Sequence, residues 1–282
     1  MTQQTQQTQA NADQFQRHQP ATALITGASG GIGEAIARQL AARGAHLILV
    51  ARSEGKMQTL AQEMSAKHGI QAAVIALDLT RPDAGEVLER EVAARHLTVD
   101  ILVNNAGFGG FSEFWTQDAG EINRMVAVNI AALTDLTRRF LPDMVTRGRG
   151  RVLNVASTAA FIPGPLMAVY YASKAYVLSF SEAVNEELRG TGVSVTALCP
   201  GPVETGFQDT ANLGESKLLS GVARLSILSA EEVAKQGVNA MLRGQAVLIA
   251  GGFNRSQTLL PRLLPRAAVA RLMARVQARR NV

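Results

Sequence analysis

The feature that most constrains this chain is an apolar run, Ala21-Thr22-Ala23-Leu24-Ile25-Thr26-Gly27, that breaks into glycines and then opens directly into a helical stretch. The turn reads Thr26-Gly27-Ala28-Ser29-Gly30-Gly31-Ile32-Gly33, and EAIARQLAARG follows it. A short apolar run without polar alternation is a strand buried on both faces, which is the habit of a parallel sheet. Glycines at 27, 31 and 33 let the backbone turn tightly and approach a pyrophosphate closely. The helix start then supplies unpaired N–H groups and the positive end of a dipole. The spacing is G-x-x-x-G-x-G, not the commoner G-x-G-x-x-G, and a glycine-rich turn alone also serves any tight strand–helix connection. Its place after the first strand of a strand–helix–strand unit favours the dinucleotide reading.

The same alternation continues. HLILVAR, QAAVIALDL, VDILVNNAG, GRVLNVAS, GVSVTALCPGPV and AVLIAG read as strands. Between them lie KMQTLAQEMSAKHG, AGEVLEREVAARH, a long helical region over roughly 119–147, and a helix around 173–189. Strands apolar on both faces and separated by helices predict a doubly wound α/β fold with a parallel sheet. At 47% hydrophobic and 18% charged residues the chain can fill such a core, so wholesale disorder is excluded. We divide it into a Gln/Thr-rich tail at 1–20, expected to be disordered, one domain at 21–257, and a basic extension at 258–282.

Charge and cysteine narrow the partners. Residues 258–282 hold Arg262, Arg266, Arg271, Arg275, Arg279 and Arg280 and no acid, so the net charge of +5 sits there. The body is close to neutral, and a nucleic-acid face on it is not expected. The single cysteine, Cys199, excludes an internal disulfide. The four histidines, 18, 46, 68 and 96, lack ligand spacing, so no metal is expected. No apolar run reaches the ~18 residues of a spanning helix. The N-terminus lacks the basic start and apolar stretch of a secretion signal, so a cytoplasmic protein is expected.

The second strand ends at Val50-Ala51-Arg52-Ser53, where a binder of the unphosphorylated dinucleotide usually places an acid for the ribose hydroxyls. Arg52 stands there instead, and a guanidinium fork suits a 2′-phosphate. This favours NADP over NAD; the alternative is a solvated surface arginine. The third strand ends at Asp78-Leu79, where an acid can contact an adenine ring or cap the next turn. The fourth ends in Asn104-Asn105-Ala106-Gly107, small residues at the carboxyl end of a parallel strand, where cofactors lie in such sheets. The asparagines also suit a plain turn.

Ser157 closes the fifth strand, and thirteen residues later comes Tyr170-Tyr171-Ala172-Ser173-Lys174. Tyr170 and Lys174 are i and i+4, one helical turn apart on one face. A phenol with its free pKa of about 10 is a poor acid–base group. An ammonium ~4 Å away in partly screened surroundings is worth about 4 kcal/mol, enough to bring the phenol to ~7. There it can pass a proton to or from a carbonyl or alcohol oxygen, which the Ser157 hydroxyl can hold. Tyr171 lies at i+3 from the same lysine, and an ideal helix does not separate the two tyrosines.

Taken together, TGASGGIG at 26–33, DL at 78–79, NNAG at 104–107, Asn129 in VAVNIAALT, Ser157, YYASK at 170–174 and CPGPVETGF at 199–207 resemble the short-chain dehydrogenase/reductase family, over residues 21–251. The resemblance implies a Rossmann-type domain with about seven parallel strands and hydride transfer between a nicotinamide and a carbonyl/alcohol centre. A homodimer or homotetramer is expected. The turn (Thr26, Gly27, Ser29, Gly31, Ile32, Gly33), Arg52, Asp78, Leu79, Asn105, Ala106 and Gly107 would bind cofactor. Tyr170 would be the acid/base, since the family's spacing selects it over Tyr171. Lys174 would hold the nicotinamide ribose and lower the Tyr170 pKa. Ser157 would orient the substrate oxygen, and Asn129 would anchor a helix carbonyl and a relay water. Pro200, Gly201, Val203 and Thr205 would lie by the nicotinamide carboxamide. Cys199 reads as a buried small hydrophobe.

In the family, the segment equivalent to 207–229 is a lid over the substrate. Its Leu213, Leu218, Leu219 and Leu225, with Phe161, Ile162, Leu166 and Met167, point to a hydrophobic carbonyl or alcohol, although the same residues suit ordinary packing. In the C-terminal extension, Val269, Leu272, Met273 and Val276 fall at i, i+3, i+4 and i+7, opposite Arg271 and Arg275. Such a helix lies on an anionic membrane, docks on a partner subunit, or packs back on its own domain. The rival readings of the whole chain are a non-catalytic NADP-binding sensor or scaffold and a membrane-associated lipid-modifying reductase.

Overall fold

The computed structural model describes residues 20–203, 227–258 and 264–278. The tail at 1–19, Thr205 and the four leucines of the expected lid fall outside these residues. The strands are β1 (Thr22–Thr26), β2 (His46–Ala51), β3 (Ala72–Ala76), β4 (Ile101–Asn104), β5 (Gly150–Val155), β6 (Val193–Cys199) and β7 (Val247–Ile249). They form one sheet in the order β3-β2-β1-β4-β5-β6-β7, with every pairing parallel. Helices connect them: α1 (Gly31–Ala41), α2 (Glu54–His68), α3 (Ala84–Ala94), α4 (Ala119–Val126), α5 (Leu133–Thr146), α6 (Ala168–Glu187) and α7 (Ala230–Leu242). Two more, α8 (Gly252–Gln257) and α9 (Arg266–Val276), follow the last strand.

Successive strand residues point to opposite faces, so each strand feeds two cores. Ile25, Leu49, Val103, Leu153 and Leu198 meet Met57 of α2 and Val233 of α7 on one face. Leu24, Ile48, Leu102, Val152 and Val195 meet Leu88 of α3 and Leu136 of α5 on the other. This explains why the strands carry no polar alternation. Strand order reverses at β1, which pairs with β2 on one side and β4 on the other. The crevice beyond the carboxyl ends of β1 and β4 is the place where doubly wound sheets take ligands.

The long helical region expected over roughly 119–147 is present, and it is not α-helical throughout. Between α4 and α5, residues Ala127–Ala132 form a π-turn. One extra residue per turn rotates the chain relative to an α-helix, and such turns recur at functional sites. The C-terminal stripe is corrected. Val269 is 5% exposed and Gln277 is fully buried, whereas Leu272 and Val276 are 46% and 40% exposed. The helix thus docks by the i, i+4, i+8 row Val269, Met273, Gln277, because that row, not the purely apolar one, faces the domain. No helix among the described residues is long and apolar enough to cross a membrane.

Candidate active site

The glycine turn is built by sterics. Gly27 has φ +66° and Gly31 φ +56°, left-handed values that L side chains seldom adopt. A Cβ on Gly27 would lie 2.7 Å from Nδ2 of Asn105, and one on Gly33 would run into the carbonyl oxygen of Gly27. No side chain among the described residues caps the N-terminus of α1. Its first N–H groups and the dipole end are therefore available to an anion, beside a turn that side chains would have filled. This cradle fits a dinucleotide pyrophosphate.

Thr26 and Asn105, expected as cofactor contacts, spend their side chains within the protein. The Thr26 hydroxyl donates to the Val103 carbonyl at 3.3 Å and accepts from the Asn105 and Ala106 amides at 3.0 Å each. Nδ2 of Asn105 donates to the Thr26 and Gly27 carbonyls at 2.9 and 3.2 Å. Together they stitch the ends of β1 and β4 and shape the turn. Ser29 and Ile32 are part-exposed on it.

Arg52 is exposed just past β2 and has no ion-pair partner among the described residues. Asp78 accepts the Thr80 amide at 3.0 Å, and this hydrogen bond holds its carboxyl below the usual range, with Arg52 acting in the same direction. Leu79 is buried. Gly107 is exposed between Asn129 and Lys174; a Cβ there would stand 3.5 Å from the lysine Nζ.

Ser157, Tyr170 and Lys174 come together as expected. Ser157, two residues beyond β5, caps the following turn by accepting the Ala159 amide at 3.1 Å, and it hydrogen-bonds to Tyr170. Lys174 lies one turn along α6, 5.7 Å from the Tyr170 ring centroid, with Nζ donating to the Val155 carbonyl at 2.8 Å. The π-turn aims Asn129 inward, where its amide clasps the Phe108 backbone at both ends, accepting at 3.1 Å and donating at 2.9 Å. Asn129 also donates to Ser173 at 3.0 Å, and Ser173 donates to the Tyr170 carbonyl. Ser173 is thus a site residue for which sequence reasoning found no role, although it sits inside YYASK. Pro200 accepts from the Thr158 amide at 2.8 Å, Gly201 packs on Asn254, and Val203 is buried beside Leu228.

The electrostatics correct one expectation. The Tyr170 phenol is not drawn toward neutrality by Lys174: burial pushes it up to about 12, with the Ser157 hydrogen bond pulling the other way. Burial also pushes the Lys174 ammonium down to about 8. Desolvation disfavours both charged forms and outweighs their attraction across this gap. At neutral pH the site therefore holds a protonated phenol, a donor only to an oxygen more basic than itself, such as a developing alkoxide, beside a mostly charged lysine. Cys199 is buried and its thiol is pushed up to about 12 by that burial, which suits packing and not nucleophilic work.

Comparison with known proteins agrees with this geometry. The family described as short chain dehydrogenase matches residues 21–216. The chain is 34% identical over 187 residues to the very-long-chain 3-oxoacyl-CoA reductase of Bos taurus, a match covering 65% of this chain and 59% of that one. It is 34% identical over 197 residues to an uncharacterised oxidoreductase of Staphylococcus epidermidis, covering 70% and 84%. In structure it is similar to a short-chain dehydrogenase from Sphingobium yanoikuyae in complex with NADPH, with TM-score 0.74, 30% identity and coverage of 93% and 98%. Another solved relative, a 3-ketoacyl-(acyl-carrier-protein) reductase from Brucella melitensis, holds NADH. Folds of this kind are those of nicotinamide-dependent oxidoreductases. The chain belongs to the short-chain dehydrogenase family.

Proposed function

We propose that this chain is an NADP(H)-preferring oxidoreductase that interconverts a carbonyl and an alcohol on a hydrophobic small molecule, with Tyr170 as acid/base. The observation that carries the reading is the convergence of Ser157, Tyr170, Lys174 and Asn129 at one end of the sheet, beside a glycine-rich turn and the helix start that follows it. The bound nicotinamide supplies or accepts the hydride at the substrate carbon. Ser157 holds the substrate oxygen. Tyr170, protonated at neutral pH, gives that oxygen its proton in the reductive direction. Lys174 and the Asn129 clasp keep the phenol and the loop after β4 in register. The glycine turn receives the pyrophosphate, and Arg52 receives a 2′-phosphate.

A hydrophobic substrate is supported by the apolar cluster of Phe111, Ala159, Met167 and Tyr171 beside Tyr170. The cattle relative, named for reduction of a 3-oxoacyl chain, is consistent with it. The exposed Leu272 and Val276 among exposed arginines support a peripheral contact of α9 with an anionic membrane. Liposome flotation at low and high salt checks the last point; no flotation at either salt removes it.

The test is NADPH and NADH oxidation against a panel of ketones, with Tyr170→Phe and Tyr171→Phe run beside the unaltered protein. Turnover abolished in Tyr170→Phe alone supports the reading. NADPH binding without turnover of any ketone moves the weight to a non-catalytic sensor.

A further inference from the structure

The C-terminal helix reaches the site. Gln277, one residue beyond α9, is fully buried and its Nε2 donates to the hydroxyl of Tyr171, 106 residues earlier in the chain. Tyr171 is not a free neighbour of Tyr170. Its ring stands edge-on to the Tyr170 ring at 6.1 Å between centroids. It packs in the cluster of Phe111, Ala159 and Met167, and a Cβ on Gly164 would collide with it, so the ring has one place to sit. The amide of Ser112 donates to the Leu166 carbonyl at 2.9 Å, which joins the segments that leave β4 and β5 at this same wall. Within it, the side-chain oxygen Oε1 of Gln277 is buried and has no hydrogen-bond partner among the described residues. A buried acceptor without a donor is costly, and a ligand that brings a donor relieves the cost.

We infer that Gln277 is a specificity-determining residue: with Tyr171 it forms a polar point in an otherwise apolar substrate wall, and it selects carbonyl compounds that carry a hydroxyl away from the reacting carbon. The hydroxyl donates to Oε1 of Gln277, while the reacting oxygen stays with Ser157 and Tyr170. The basic extension is then part of the substrate site as well as an appendage. The inference rests on the oxidoreductase reading above.

The test uses the full chain with NADPH and two ketones of equal length, one ending in methyl and one in hydroxyl. The unaltered protein prefers the hydroxy ketone. In Gln277→Leu that preference falls about tenfold, through KM, while kcat, the methyl ketone and the KM for NADPH hold steady. Gln277→Glu, which keeps an acceptor oxygen, retains the preference. Equal losses on both ketones, or a preference unchanged in Gln277→Leu, overturn the inference and leave the oxidoreductase reading standing. An unaltered protein that reduces neither ketone nor any other overturns both.

Discussion

At the scale of single residues, two burial costs define the site. Lys174 is 6% exposed and its ammonium titrates near 8 in the folded chain against 10.5 ordinarily. Between those values the unfolded chain binds more protons, so the lysine's contribution to stability improves as pH rises through the window. Its burial cost is fully present below about pH 8 and is worth about 3 kcal/mol at ~1.4 kcal/mol per unit. Urea unfolding of the unaltered protein and Lys174→Met at pH 7, 8, 9 and 10 checks this: the unaltered protein gains on the variant as pH climbs, and a constant difference contradicts it. At the glycine turn, Gly33→Ala forces a methyl against the Gly27 carbonyl. We expect a loss of about 1–3 kcal/mol in stability and a larger loss in NADPH affinity, read by thermal melting with and without cofactor. The glycines, Ser157 and Lys174 were legible in the sequence because their spacing is local: a strand end, a helix start, one helical turn; that spacing left Tyr170 and Tyr171 open, and the family resemblance chose Tyr170. The height of the Tyr170 pKa was not legible, because it depends on desolvation by groups remote in the chain.

At the scale of elements, β4 and β5 are tied to the helices above them by a buried polar chain. Nδ2 of Asn104 donates to Oγ1 of Thr137 at 3.0 Å and to Oδ1 of Asn154 at 2.9 Å, and Asn154 donates to Ser181 on α6 at 3.0 Å. This chain fixes α6, and with it Tyr170 and Lys174, against the strand that leads to Ser157. Asn154→Leu leaves two buried partners short of a bond, an expected cost of about 2–5 kcal/mol by denaturant melting. Full stability in that variant would contradict the role. Periodicity located the strands and most helices, since both halves of each apolar pattern are short-range. It did not locate the π-turn at Ala127–Ala132, because one inserted residue leaves the apolar spacing of the flanking helices almost unchanged. The inward aim of Asn129 is the visible consequence.

For the whole molecule, the reversal of strand order at β1 brings the glycine turn, the loop after β4 and the start of α6 to one edge of the sheet. Alternating strands and helices announced that arrangement, and the motifs fell on it in order. The docking of α9 by Gln277 on Tyr171 was not legible, for the contact joins positions 106 apart and turns on a polar residue in an apolar stripe. Cofactor choice belongs to this scale too, because the exposed guanidinium of Arg52 and the pyrophosphate cradle must act on one ligand. Arg52→Ala is expected to weaken NADPH binding about tenfold or more and to leave NADH binding nearly unchanged, by fluorescence titration. Equal losses for both cofactors would assign Arg52 to the surface.

The most direct test of the account follows a labelled hydride. NADPH carrying deuterium on both C4 positions is incubated with the unaltered protein and a ketone, and the alcohol is weighed by mass spectrometry. We predict one deuterium at the carbinol carbon, and no alcohol from Tyr170→Phe although that variant still binds NADPH. An alcohol without the label, or an equal yield from Tyr170→Phe, would contradict it.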